Sequence, residues 1–112
     1  MRIHTDHNGV AVNAISAIAD GTDVEGHQYQ VLAGTYNIDL EFQNGPVQEN
    51  GVNGLTNEAL LAVLIHRTNY LNKKFPCREN SIAITNMEQA LMWLEKRTAG
   101  RIERGVEGKD VA

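Results

Sequence analysis

The sequence holds a single cysteine, Cys77, in 112 residues. One thiol excludes an internal disulfide framework and a cysteine-based zinc site, and it fits a reducing compartment. Aromatic residues make up only 5% of the chain, so any core is aliphatic. The longest apolar run, ALLAVLI at residues 59–65, is far too short to span a bilayer. The first residues, MRIHTDHNGV, carry neither an apolar run nor a cleavage-site pattern, which predicts no signal peptide and a cytoplasmic protein. No G-x-G-x-x-G or G-x-x-x-x-G-K motif occurs. Gly51-Val52-Asn53-Gly54 is followed by no lysine and reads as a turn. A net charge of -4 argues against polymeric nucleic acid, which asks for a basic footprint.

What is present is one small α+β domain of two textures, 1–50 β-rich and 51–112 a helical hairpin with a C-terminal tail. VAVNAI at 10–15 and YQVL at 29–32 are β-prone, and IDLEFQ at 38–43 alternates apolar and polar, as a half-buried strand does. Glycines 21, 26, 34 and 45 punctuate these runs, which predicts three or four antiparallel strands in a meander. A short Ala-rich helix at 12–19 is the alternative there. Beyond Gly54 the period becomes helical. Thr56 is a candidate N-cap, with Glu58 in the first turn. Leu60, Leu61, Leu64, Ile65, Thr68 and Leu71 mark a helix ending near Asn72. Pro76 breaks the pattern, and a second helix runs from about Arg78 to Arg104, with Gly105 as a ready C-cap and a mobile tail after it. The second helix outruns the first, and its overhanging seam predicts a covering second copy of the chain.

That second helix carries the most informative pattern. On a wheel of 100° per residue, Ile84, Met87, Leu91, Leu94 and Thr98 form an apolar stripe, and Trp93, Arg97, Arg101 and Arg104 form a second stripe beside it. The positions four residues before the three arginines hold Trp93, Arg97 and Gly100, so no carboxylate there offsets the charge. An anionic ligand, an acidic partner helix and plain solvation are the three readings. A guanidinium fork suits phosphate, and an aromatic face suits a nucleobase. Trp93 is either a core or interface ring or a stacking platform, and Phe75 faces either the core or a ligand. Gly100 is either tolerated near a helix end or marks a close approach.

No catalytic constellation is evident. His4 and His7 fall in a terminus expected to fray, His27 falls in a turn, and His66 lies on the first helix beside Arg67; none has a second ligand at metal spacing. Cys77, after a proline, reads as a buried loop thiol.

FQNGPVQENGVNGLTNEALLAVLIHR, then KKFPCREN, then ALMWLEKRTAGRIERGVEG resemble the bacteriophage Thoeris anti-defence sponges, which share their helical hairpin with phage anti-CBASS sponges. The likeness covers roughly residues 42–108, and the β-rich segment before it suits the Thoeris branch. It implies no catalysis and no cofactor. It implies sequestration of a cyclic nucleotide immune messenger, glycocyclic ADP-ribose, and admits cyclic di- or trinucleotides at a separate site. It implies homodimers that group into hexamers with pockets between subunits. Carried onto this chain, it nominates Phe75, Asn80, Arg97, Arg101 and Arg104, with Thr85 and Asn86 as weaker candidates; Trp93 is a candidate from the helical wheel alone. An enzyme that degrades the same messenger and a protein-interaction hairpin are the competing readings.

Overall fold

The computed structural model describes residues 1–109; the last three residues of the expected tail, 110–112, lie outside the described residues. The chain divides into two compact units, Met1–Leu55 and Thr56–Ala112.

The first unit is a four-stranded antiparallel sheet in the order β1 (Arg2–Thr5), β2 (Ala11–Ala17), β3 (Asp23–Ala33), β4 (Tyr36–Glu41). This is the expected meander. The register places His4, Val12, Val31 and Ile38 side by side across the four strands, with Ala14, Tyr29 and Leu40 in the next row of the same face. Arg2, Asn13, Gln30 and Asp39 line the opposite face, where the Arg2 Nε donates to Asn13 Oδ1 at 2.7 Å. The alternation read at 38–43 is thus the sheet's two-sidedness. Phe42 meets Tyr29 edge to face, with ring centroids 5.7 Å apart. Gly34, at φ 63°, supplies the left-handed residue of the two-residue turn between Ala33 and Tyr36.

The strand reading here holds over the helical alternative at 12–19, since β2 runs through Ala17. Two expectations are corrected. The N-terminus does not fray at His4, which pairs with Val12 in β1. His27 is inside β3 rather than in a turn.

After β4 the chain runs through a four-residue helix, α1 (Val47–Asn50), and returns to make a parallel bridge between Phe42 and Leu55. One side chain organises this return. Gln43 Nε2 donates to the carbonyls of Gly45 and Gly51 at 3.2 and 2.8 Å, while its Oε1 accepts the Asn53 N–H at 2.9 Å.

The second unit is a helical hairpin of α2 (Asn57–Lys74) and α3 (Arg78–Glu103). Thr56 caps α2 as expected, its hydroxyl accepting the Ala59 N–H at 3.1 Å. The helix continues two residues past Asn72, and Lys73 and Lys74 in its last turn suit the dipole. Gly100 aside, the residues of α3 withdrawn from solvent are Asn80, Ile84, Met87, Leu91, Leu94, Thr98 and Arg101. Their 4-3 spacing is a coiled-coil seam, which Leu61, Ile65, Thr68 and Asn72 repeat on α2. At 1.5 Å per residue the 26 residues of α3 outrun the 18 of α2 by about 12 Å. No helix among the described residues is long and apolar enough to cross a membrane.

Candidate ligand-binding site

Asn86, Trp93, Arg97 and Arg104 fall within about 40° of one another around α3, and all four are exposed. Trp93 is 60% exposed, so within this chain it is not a core residue. Lys96 Nζ lies 4.9 Å from its ring centroid, a cation on the indole face that sequence reasoning missed although the i, i+3 spacing allows it. An aromatic plane with two cationic side chains beside it can take a base and a phosphate together.

Phe75 is also outside the core, 74% exposed at the C-terminal cap of α2. Asn80 sits in the first turn of α3, half-buried at the head of the seam. Its N–H donates to Cys77 Sγ at 3.4 Å, and the Cys77 N–H in turn donates to Asn72 Oδ1 at 3.0 Å. Cys77 is therefore an exposed capping residue and not a buried loop thiol. Thr85 is exposed but lies about 100° round the helix from Asn86, off the stripe.

The nominated residues do not converge within one chain. From Asn80 to Arg97 the helix rises about 26 Å, and Phe75 lies further still from the arginines. The structure gathers Asn86, Trp93, Arg97 and Arg104 along one stripe and leaves Phe75 and Asn80 at the other end of α3.

Arg101 departs from the row. It is 5% exposed, and its guanidinium is engaged by the segment just past the helix end. Nε donates to Glu107 Oε2 at 3.2 Å, and the other arm donates to the carbonyls of Val106 at 3.0 Å and Lys109 at 2.7 Å. Arg101 thus has a carboxylate partner within the chain, at a spacing other than the four residues read along the helix. The wheel hid Glu107 because it lies six residues downstream, past the helix end. The same contact corrects the mobile tail, since residues 105–109 fold back onto α3. Gly105, at φ 72°, comes after the Arg104 cap and makes the reversal. The Gly105 N–H bonds the Ile102 carbonyl and the Val106 N–H bonds the Arg101 carbonyl, which is the Schellman closure.

A separate open groove of about 600 Å³ runs along α2 past Ala62, Val63, His66, Arg67 and Tyr70. None of the nominated residues lines it. Lys74 Nζ lies 5.3 Å from the Tyr70 ring centroid. Among the described residues no group of three or more His, Cys, Asp or Glu side chains could hold a metal ion.

Comparison with known proteins places these elements. The Acb2/Tad1 hairpin domain matches residues 37–99, more than half of the chain. The match takes in Phe75, Asn80, Thr85, Asn86, Trp93 and Arg97 and stops before Arg101 and Arg104. A protein of Bacillus phage SBSphiJ7 named Thoeris anti-defense 1 is 59% identical over 70 residues, which cover 62% of this chain and 49% of that protein. The aligned region thus spans about half the length of that curated relative.

Proposed function

Because the chain belongs to the family of the Acb2/Tad1 hairpin domain, we propose that it is a phage anti-defence protein that captures a cyclic nucleotide messenger of Thoeris immunity, glycocyclic ADP-ribose, and holds it without cleaving it. The observation that carries this reading is the exposed stripe on α3. Trp93 offers a flat face, Arg97 and Arg104 offer phosphate forks, and Asn86 offers an amide, all directed away from the hairpin seam. The name of the phage relative supports the defence system. No pair of side chains on the stripe is arranged as a general acid and base, which supports capture over turnover.

The pocket is completed by a second copy of the chain. The rise of about 26 Å between Asn80 and Arg97 is too long for one small ligand to bridge. Phe75 and Asn80 of one protomer therefore meet the arginines of another. The exposure of apolar side chains supports such an assembly. Ala11, Val24 and Ile84 are the buried apolar residues among those described, whereas Val63, Met92 and Ile102 are more than half exposed. The working form is a homo-oligomer, dimers grouped into a hexamer.

Thermal melting of the full chain tests the reading. Glycocyclic ADP-ribose at 100 times its dissociation constant should add about 2.7 kcal/mol of stability. A melt that this messenger leaves unmoved would favour a protein-interaction hairpin instead.

A further inference from the structure

The charge of Arg101 is met by a carboxylate from beyond its own helix, and that carboxylate belongs to a short strap. Val106 and Glu107 lie between two glycines of positive φ, Gly105 at 72° and Gly108 at 78°. The strap is latched onto Arg101: among the described residues the Glu107 carboxylate, the Val106 carbonyl and the Lys109 carbonyl all accept from the same guanidinium. The ion pair is lopsided in its access to water. The Arg101 side chain is 6% exposed and that of Glu107 is 40% exposed. The covered partner is the cation and the reachable partner is the anion, so Arg101 is open to an incoming anion only once the strap has moved off it.

A carboxylate and a phosphate present the same acceptor geometry to a guanidinium fork. We propose that Glu107 is an internal stand-in for the ligand phosphate: the strap occupies Arg101 while the protein is empty and swings off on its glycine hinges when the messenger binds. This inference rests on the capture reading above and specifies its regulation. It makes the strap a threshold device. Arg101 joins the row in binding an anion only when that anion outcompetes Glu107, which discriminates a multiply charged phosphodiester ligand from the monovalent anions of the cell. The exchange forms and breaks no covalent bond. One charge-assisted hydrogen bond set replaces another.

The test uses the full chain and Glu107→Gln, which keeps the side chain's shape and an acceptor for Arg101 Nε but removes the charge. Affinity for glycocyclic ADP-ribose is measured by calorimetry for both. The expected result is tighter binding by Glu107→Gln, about three- to fivefold for an ion pair this exposed. In an Arg101→Ala background the same substitution should change nothing. Hydrogen exchange supplies a second readout. Saturating messenger should speed exchange of the Val106 and Lys109 amides, whose acceptors are the Arg101 and Val106 carbonyls. Equal or weaker binding by Glu107→Gln, with wild type binding normally, would overturn the exchange and leave the capture reading standing. Slower exchange of those amides on binding would also overturn it. Binding by neither protein would overturn the capture reading, and the exchange with it.

Discussion

Arg101 and Val106 hold each other twice. The Val106 N–H donates to the Arg101 carbonyl at 2.9 Å, and the Arg101 guanidinium donates to the Val106 carbonyl at 3.0 Å. The first bond closes the helix and the second fixes the strap, so one residue terminates α3 and anchors the segment beyond it.

Arg101 and Arg97 should therefore differ in their contribution to the fold. Arg101→Ala removes the bonds to Glu107, Val106 and Lys109 and should cost about 2–3 kcal/mol in urea denaturation. Arg97→Ala, at an exposed position, should stay within about 0.5 kcal/mol of wild type. Equal stabilities of the two variants would mean that the strap contacts contribute nothing.

The second prediction concerns the return of the chain beside the sheet. A Cβ on Gly54 would lie 2.6 Å from the Phe42 carbonyl carbon and 2.7 Å from the Glu41 carbonyl oxygen, backbone atoms that cannot rotate away. Gly54→Ala should destabilise the first unit by about 1–3 kcal/mol, read by denaturation of the sheet signal. A neutral outcome would show that the Phe42–Leu55 bridge is not tightly held.

Acid should weaken the sheet's loops in a defined direction. The Asn8 N–H and then the Val10 N–H hold the Asp6 carboxyl below its usual value of 3.8, and Thr22, through its side chain and then its N–H, does the same for Asp20. A carboxyl whose folded pKa is lowered contributes stability above its unfolded pKa and loses it as pH falls through the folded value. Stability of the wild type should thus fall more steeply below about pH 4 than that of an Asp6→Asn, Asp20→Asn variant. Parallel curves would contradict this account of the loops.

The proposed sharing of the pocket between protomers can be tested by complementation. Phe75→Ala and Arg97→Ala chains should each lose binding of glycocyclic ADP-ribose, about tenfold or more for the arginine, whose charge-assisted bonds are worth roughly 2 kcal/mol. Mixed assemblies of the two should regain a fraction of intact sites, because each supplies the residue that the other lacks. No recovery on mixing would place the whole site within one protomer.

The meander was legible because residues 38–43 alternate and glycines mark the turns, and the hairpin because Thr56, Pro76 and the 4-3 spacing on α3 are local signals. β1 escaped because RIHT carries one apolar residue, Ile3, and no period. His27 looked like a turn residue because Gly26 precedes it, yet β3 continues through both. The exposed stripe on α3 could be drawn on a wheel from sequence alone. The withdrawal of Arg101 from that stripe could not, since it depends on a chain reversal at Gly105 that brings Glu107 back onto the helix. Cys77 misled for a related reason: its exposure is set by the cap it makes with Asn80, not by its residue type.

Capture without turnover is the central claim, and recovery of the messenger tests it most directly. The protein is incubated with glycocyclic ADP-ribose, the complex is denatured by heat, and the released nucleotide is resolved by chromatography over a time course. The account requires the full amount of intact messenger at every time point, still able to activate a Thoeris NADase effector. A linear or hydrolysed product that accumulates with time at substoichiometric protein would contradict it and make the protein an enzyme.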